Sequence, residues 1–193
     1  MPYGYIGKIL HVDLSGSALT IEEPPESFYR KYLGGSAMGM EYILRGMKPG
    51  VDPLSPDNIL TLMAGVSTGA AISGQSRLNA NAKSPISGGI GDSQSGGFFP
   101  AELKFAGFDG IVIKGKSPKP VYLSIVNGKA ELRDAAHLMG KITGEVDIAR
   151  YPKRVRDALR KLGINQITHP LRIGAKFTIF KRYVPDGLQM PTQ

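Results

Sequence analysis

Short alternating apolar segments, separated by glycine-rich turns, are the feature that most limits the fold of this chain. The opening segment YIGKILHVDL places Ile6, Leu10, Val12 and Leu14 at even-numbered positions. A period of two buries one face of a strand, whereas a helix repeats its apolar positions every three to four residues. The 25 glycines mark turns where a backbone without a Cβ is an advantage. The pattern predicts a β-rich α+β fold, and neither a helical bundle nor a parallel doubly wound sheet.

Two hairpins are predicted from local turn chemistry. The first covers residues 5–21, with residues 15–17 (Ser-Gly-Ser) as its turn. The second covers residues 121–132 around Asn127-Gly128, a dipeptide that favours a two-residue hairpin turn. Further strands are predicted at residues 59–64, 77–83, 110–114 and 171–184.

Helices are predicted where proline or a small polar residue precedes an apolar stripe. Ser36 is the predicted N-cap of one helix, and Pro100 suits the first turn of another, which Gly107 ends. The predicted helices cover residues 26–33, 37–46, 100–106 and 152–162, and residues 84–97 are predicted to be a loop.

The formal charge of +8 is concentrated near the C-terminus. Residues 1–149 contain 14 Lys and Arg against 14 Asp and Glu, so this part is neutral. Residues 150–193 contain ten basic residues against Asp157 and Asp186, which accounts for the whole excess. We therefore predict a domain over residues 1–145, close to neutral, and a basic helix–strand extension over residues 146–193.

The chain contains no cysteine, which limits the chemistry that it can perform by itself. Disulfides, thiolate catalysis, zinc–thiolate sites and an iron–sulfur cluster held by this chain's thiolates are excluded. Its three histidines (His11, His137 and His169) are too scattered to indicate a metal site. No apolar run reaches the length of a membrane span, and the first residues do not resemble a signal peptide. We therefore expect a cytoplasmic protein without a membrane partner.

One segment has the composition of an anion-binding turn. Gln94, Ser95, Gly96 and Gly97 precede a predicted helix, so their backbone N–H groups and the positive end of the helix would face one ligand. Arg77, on the preceding predicted strand, would add a planar fork of charged donors. Phosphate is the ligand that suits this arrangement. The alternative is that the glycines form only a turn and that Arg77 is a surface residue at a strand end.

Other reaction classes find no support in the sequence. A dinucleotide-binding glycine motif, a nucleophile elbow and a His-Glu-x-x-His metal motif are absent, and GGIGDSQSGG lacks the lysine of a P-loop. Asp13, Asp92 and Asp109 have no obvious carboxylate partner, so they are predicted to be surface or turn residues.

Several longer segments resemble a known family. YGYIGKILHVDLS, FYRKYLGG, VDPLSPDNIL, the long stretch AKSPISGGIGDSQSGGFFPAELKFAGFDGIVIKGKSPKPVYLSI, and ELRDAAHLMGK follow one another over about residues 1–141. In order and spacing they resemble the N-terminal domain of tungsten-containing aldehyde ferredoxin oxidoreductases. That resemblance implies a domain of two related β-rich halves around a tungsten- or molybdenum-bearing pair of pterins, whose phosphates are bridged by magnesium.

The resemblance also implies roles for particular residues. Arg77 stands where the family's arginine contacts the pterin, and Gly96 is a second matching contact in the segment that also contains Ser95 and Gly97. Gln94 stands where the family has an asparagine that contacts the pterin and lies beside the magnesium.

Three departures from the family pattern bear on this implication. Gln94 is one methylene longer than the usual asparagine, and Ser36-Ala37 replaces an Arg-Gly pair that many members have. The second cofactor loop and the cysteine-bearing domains are not found in these 193 residues. The resemblance therefore implies that this chain holds no iron–sulfur cluster and is inactive alone.

Several functions are compatible with these features. The first is a subunit or fragment of a tungsten or molybdenum pterin oxidoreductase that binds part of the cofactor and joins a larger or complementary subunit or a second copy of itself. The second is a non-catalytic structural or assembly relative that docks on an acidic partner through its basic extension. Nucleic-acid binding depends on charge alone, because the aromatic residues of the extension match no ribonucleoprotein motif.

Overall fold

The computed structural model describes residues 4–141 and the backbone of Lys176–Phe180. The strands are β1 (Ile9–Asp13), β2 (Ala18–Glu22), β3 (Leu60–Ala64), β4 (Leu78–Lys83), β5 (Ile90–Ser95), β6 (Gly110–Lys114), β7 (Val121–Val126), β8 (Lys129–Asp134) and β9 (Lys176–Phe180). The helices are α1 (Glu26–Tyr32), α2 (Gly35–Gly46) and α3 (Phe98–Phe105), with a short 3-10 helix at Ala136–Leu138.

Six strands form a mixed sheet in the order β2-β1-β6-β3-β4-β5. Only β1 and β6 run parallel; the other neighbours are antiparallel. A second sheet has the order β8-β7-β9. The prediction of a β-rich α+β fold is confirmed for the described residues.

The alternation read in the sequence divides the apolar residues between the two faces of the large sheet. Ile9, Met63 and Val112 pack with α1 and α2 on one face. Leu10 and Ile111, which are register partners, lie in the core on the other face together with residues of α3 and β7. One-residue shifts in register would exchange the two sets, so the two cores fix the pairing.

Helix α2 lies unusually close to the sheet at Gly39. A Cβ placed on Gly39 would stand 2.5 Å from Asn81 Oδ1 and 2.6 Å from Thr61 Oγ1, closer than side chains tolerate. Asn81 is fully buried there, and its side-chain nitrogen and oxygen have no hydrogen-bond partner within the described residues. Glycine is therefore the residue that allows this helix to contact β3 and β4 directly.

Both predicted hairpins are confirmed. Strands β1 and β2 pair across residues 14–17, and β7 and β8 pair across Asn127 and Gly128. Those two residues have φ of 49° and 78°, the left-handed conformation that a two-residue hairpin turn requires.

The basic extension is described only in part. The strand predicted at residues 171–184 is present as the backbone of β9, which pairs antiparallel with β7. The helix predicted at residues 152–162 lies outside the described residues, and the division at residue 145 stays a prediction. Among the helices of residues 4–141, none is long and apolar enough to cross a membrane.

Candidate cofactor-binding site

Arg77 immediately precedes β4, and its side chain is exposed. Its backbone N–H donates to Thr68 Oγ1 at 3.2 Å, and its carbonyl accepts from the backbone N–H of Gly65 at 3.0 Å. The guanidinium Nη1 donates to the carbonyl of Ser76 at 2.9 Å. Within residues 4–141 no carboxylate forms an ion pair with Arg77. Most of its N–H donors therefore remain open to a ligand.

Gln94 and Ser95 belong to strand β5, so the prediction of a loop over residues 84–97 is wrong for its second half. Gln94 lies opposite Asn79 and Ser95 lies opposite Leu78 in the β4–β5 ladder. Glycine and aspartate are depleted in strands, but pairing with a neighbouring strand overrides that local preference.

Gly96 and Gly97 connect the edge strand β5 to helix α3. Gly97 is the N-cap of α3 and has a φ of 84°, which a side chain would strain. Its carbonyl accepts a 2.6 Å hydrogen bond from Ser76 Oγ. The turn before β4 and the turn after β5 are thus joined directly.

The structure brings Arg77 and the predicted segment together. A Cβ on Gly96 would lie 2.9 Å from Arg77 Nη1, so the guanidinium rests against this glycine. Gln94 and Ser95 are exposed on the same edge of the sheet. All five predicted site residues therefore occupy one end of the β4–β5 pair, although their roles remain predictions.

Beside Gln94 lies a polar cluster that sequence reasoning missed. Ser36 Oγ donates to Asp92 Oδ2 at 2.6 Å, and Asn79 Nδ2 contacts both Ser36 Oγ at 2.6 Å and Asp92 Oδ1 at 3.0 Å. Donation by Ser36, followed by donation from Asn79, lowers the pKa of Asp92 below its ordinary value. Asn79 is also the strand partner of Gln94, so the cluster adjoins the candidate site.

This cluster corrects one expectation and adds a contact to another. Ser36 is not the N-cap of α2; Gly34 occupies that position, and no side chain caps the helix. Asp92 is exposed, as predicted, but it is tied to α2 across 56 sequence positions. No short-range sequence signal could have revealed that contact.

Asp109 also differs from its prediction as a surface or turn residue. It is 2% exposed and forms a 2.9 Å ion pair with Lys104, which is 1% exposed. By contrast, Asp13 is a turn residue as predicted, since its Oδ1 accepts from the backbone N–H groups of Ser15 and Gly16.

The arrangement fits a phosphorylated group better than a directly bound metal. The exposed guanidinium supplies donors suited to phosphate oxygens, and the glycine beside it admits close approach. Within residues 4–141 no group of three or more His, Cys, Asp or Glu could hold a metal ion. Gln94 could contribute one oxygen to a magnesium ion whose other ligands came from phosphates.

Comparison with known proteins identifies the class to which this fold belongs. Residues 9–164 match the family model of the aldehyde ferredoxin oxidoreductase N-terminal domain. The chain belongs to the aldehyde ferredoxin oxidoreductase family. The match extends to residue 164, beyond the family-like motifs, which end at about residue 141.

Particular relatives are similar over most of this chain. The tungsten-containing aldehyde ferredoxin oxidoreductase of Pyrococcus furiosus is 43% identical over 75% of this chain, and the match covers 24% of the relative. The WOR-like subunit of an aliphatic sulfonate oxidoreductase from the same organism is 37% identical over 82% of this chain and covers 26% of that subunit. The chain thus spans about a quarter of the length of these relatives.

A solved structure shares the fold. The active-site complex BamBC of benzoyl coenzyme A reductase, in complex with 1,5-dienoyl-CoA, matches with a TM-score of 0.71 and 34% identity. The match covers 84% of this chain and 24% of the other chain.

Proposed function

We propose that this chain forms part of the site that holds a tungsten- or molybdenum-bearing pterin cofactor in an oxidoreductase of the family. The observation that carries the proposal is that an exposed arginine without a carboxylate partner among residues 4–141 rests on Gly96. Replacement of Arg77 distinguishes this role from that of a solvated surface arginine, whose loss would leave cofactor binding unchanged. The metal and pterin would supply the redox chemistry, while this chain binds and orients the phosphates.

Each residue has a distinct part in the proposed contact. Arg77 presents a planar, permanently charged fork that a lysine ammonium does not reproduce. Gly96 keeps the space beside the guanidinium free, and Gly97 allows the backbone to turn into α3. Gln94 would offer its amide oxygen to a magnesium ion held with the phosphates.

Catalysis in this proposal needs further polypeptide. The chain spans about a quarter of its relatives and contains no cysteine. A larger or complementary subunit, or further residues of a longer protein, would supply the iron–sulfur cluster and the remaining cofactor contacts. We place the assembly in the cytoplasm.

The test is the metal content of the protein purified from its native host. Tungsten and molybdenum are quantified per chain, and the co-purifying chains are identified by mass spectrometry. We expect Arg77→Ala, Arg77→Lys and Gly96→Val each to lower the metal content.

Arg133→Ala is the matched control, because Arg133 is an exposed arginine that pairs with Glu131 away from the site. If Arg77→Ala and Gly96→Val purify with the metal content of the unaltered protein, these residues do not bind the cofactor.

A further inference from the structure

The backbone of Arg77 is held by a buried hydroxyl group. Thr68 is 2% exposed. Its Oγ1 accepts from Arg77 N–H at 3.2 Å and lies 3.0 Å from the carbonyl oxygen of Arg77 and 3.2 Å from that of Gln75. A hydroxyl has one proton, which it donates to one of these two oxygens at a time. Thr68 thus satisfies the N–H of Arg77 and contacts its carbonyl oxygen.

The turn that contains Thr68 is closed by its own hydrogen bonds. Thr68 N–H donates to the carbonyl of Gly65 at 3.1 Å, and Gly65 N–H donates to the carbonyl of Arg77 at 3.0 Å. Gln75 Oε1 accepts from Gly69 N–H at 2.8 Å. The segment before Arg77 is therefore a compact loop, and its hydrogen bonds include two to the backbone of Arg77.

A buried ion pair anchors this turn to the rest of the domain. Lys104 Nζ lies 2.9 Å from Asp109 Oδ1 and also donates to the carbonyl of Gly4 at 2.6 Å. Lys104 Nζ also lies 3.5 Å from the carbonyl oxygen of Val66, two residues before Thr68. The contacts form a continuous path from α3 to Arg77.

We infer that Thr68 is a positioning residue for Arg77 and fixes the point from which the guanidinium reaches a phosphate. The inference rests on the proposed function, because it needs Arg77 to contact the cofactor. A long side chain reaches its ligand reproducibly only when its backbone is fixed, since each free rotation multiplies the positions of the guanidinium. The hydroxyl of Thr68, rather than its bulk, is the group that acts.

The experiment measures binding of inorganic pyrophosphate to the full 193-residue chain by calorimetry at low salt. Arg77→Ala should weaken binding about tenfold or more, the loss of a charge-assisted hydrogen bond. Thr68→Val keeps the shape but removes the hydroxyl and should weaken binding severalfold. Thr68→Ser keeps the hydroxyl and should bind like the unaltered chain.

Two controls separate positioning from a general loss of structure. In the Arg77→Ala background, Thr68→Val should have no further effect on binding, because the guanidinium that Thr68 positions is absent. Gln75→Met removes a hydrogen bond from the same turn without touching Arg77 N–H, and should leave binding unchanged. Hydrogen exchange of the Arg77 amide should accelerate in Thr68→Val and remain slow in Thr68→Ser, which reports the loosened backbone without any ligand.

The outcomes distinguish the two proposals. If Arg77→Ala weakens binding and Thr68→Val does not, the positioning role is wrong and the phosphate contact stands. If Gln75→Met weakens binding as much as Thr68→Val, the turn matters only as a structural unit and the positioning role is again wrong. If Arg77→Ala has no effect, or the unaltered chain does not bind pyrophosphate, the phosphate contact fails and the positioning role with it.

Discussion

The Lys104–Asp109 pair shows how single residues can be both buried and charged in this domain. Removing two charges from water costs several kcal/mol per ion, so each charge needs several partners. Asp109 accepts from the backbone N–H groups of Ile6 and Gly7 at 2.7–2.9 Å in addition to pairing with Lys104. Lys104 donates to the carbonyl of Gly4. The pair therefore binds the first described residues of the chain to α3.

Breaking this pair from one side should be strongly destabilising. Lys104→Met leaves the Asp109 carboxylate buried without its countercharge, and we expect unfolding free energy to fall by about 3–5 kcal/mol. The double variant Lys104→Met with Asp109→Asn removes both charges and should recover part of that loss. Urea denaturation followed by circular dichroism measures both. A Lys104→Met variant as stable as the unaltered protein would contradict the assigned pairing.

Asp92 offers a pH-dependent test at the edge of the candidate site. Hydrogen bonds from Ser36 and then Asn79 lower the pKa of Asp92 in the folded state. The resulting stabilisation is present above the unfolded-state pKa of about 3.9 and is lost as pH falls through the lower folded-state pKa. Ser36→Ala should raise the pKa of Asp92 and reduce the stability lost on acidification across this interval.

Carboxyl titration by nuclear magnetic resonance measures that change. Ser93→Ala is the matched control, because Ser93 neighbours Asp92 on β5 and its side chain lies on the opposite face of the strand. An Asp92 pKa that does not respond to Ser36→Ala would exclude the contact between α2 and β5.

At the scale of elements, the packing of α2 on the sheet depends on its glycines, and Gly39 makes the closest approach. Gly39→Ala would gain about 1 kcal/mol in helix propensity but would place its Cβ against Asn81 and Thr61. Overpacking of this kind costs about 1–3 kcal/mol, so we expect a net loss of unfolding free energy. Gly16→Ala, where the nearest atom would be 3.7 Å away, is the control. A stabilised Gly39→Ala variant in thermal unfolding would show that the helix can move away at little cost.

Elements with local signals could be predicted, and those formed by distant contacts could not. The Asn127-Gly128 turn determines its hairpin through backbone conformations that few other residues adopt. Strand β5 has the composition of a loop and becomes a strand only because β4 lies beside it. Ser36 had the sequence context of a helix cap, yet its hydroxyl contacts Asp92 instead.

At the scale of the whole molecule, the candidate site also combines residues with local sequence signals and residues whose role depends on distant contacts. Arg77 and Gly96 were predicted to act together, and the β4–β5 pairing places them in contact. Thr68 and the Lys104–Asp109 pair were missed, because their importance depends on burial and on contacts such as Lys104 to Gly4, 100 positions apart. Sequence motifs indicated candidates for contact with a ligand, a role that stays a prediction, and gave no signal for the residues that hold those candidates in place.

The activity of the 193-residue chain by itself is the final prediction, and it concerns the molecule as a whole. In the proposed assembly the electrons of the oxidised substrate would need an acceptor, and a chain without cysteine provides no thiolates for an iron–sulfur cluster. We therefore expect the purified chain to show no aldehyde-dependent reduction of a viologen dye, even when pterin and metal are present. Adding the chains that co-purify from the native host should restore reduction. Dye reduction by the chain alone that disappears in Arg77→Ala would mean that it forms a complete active site by itself.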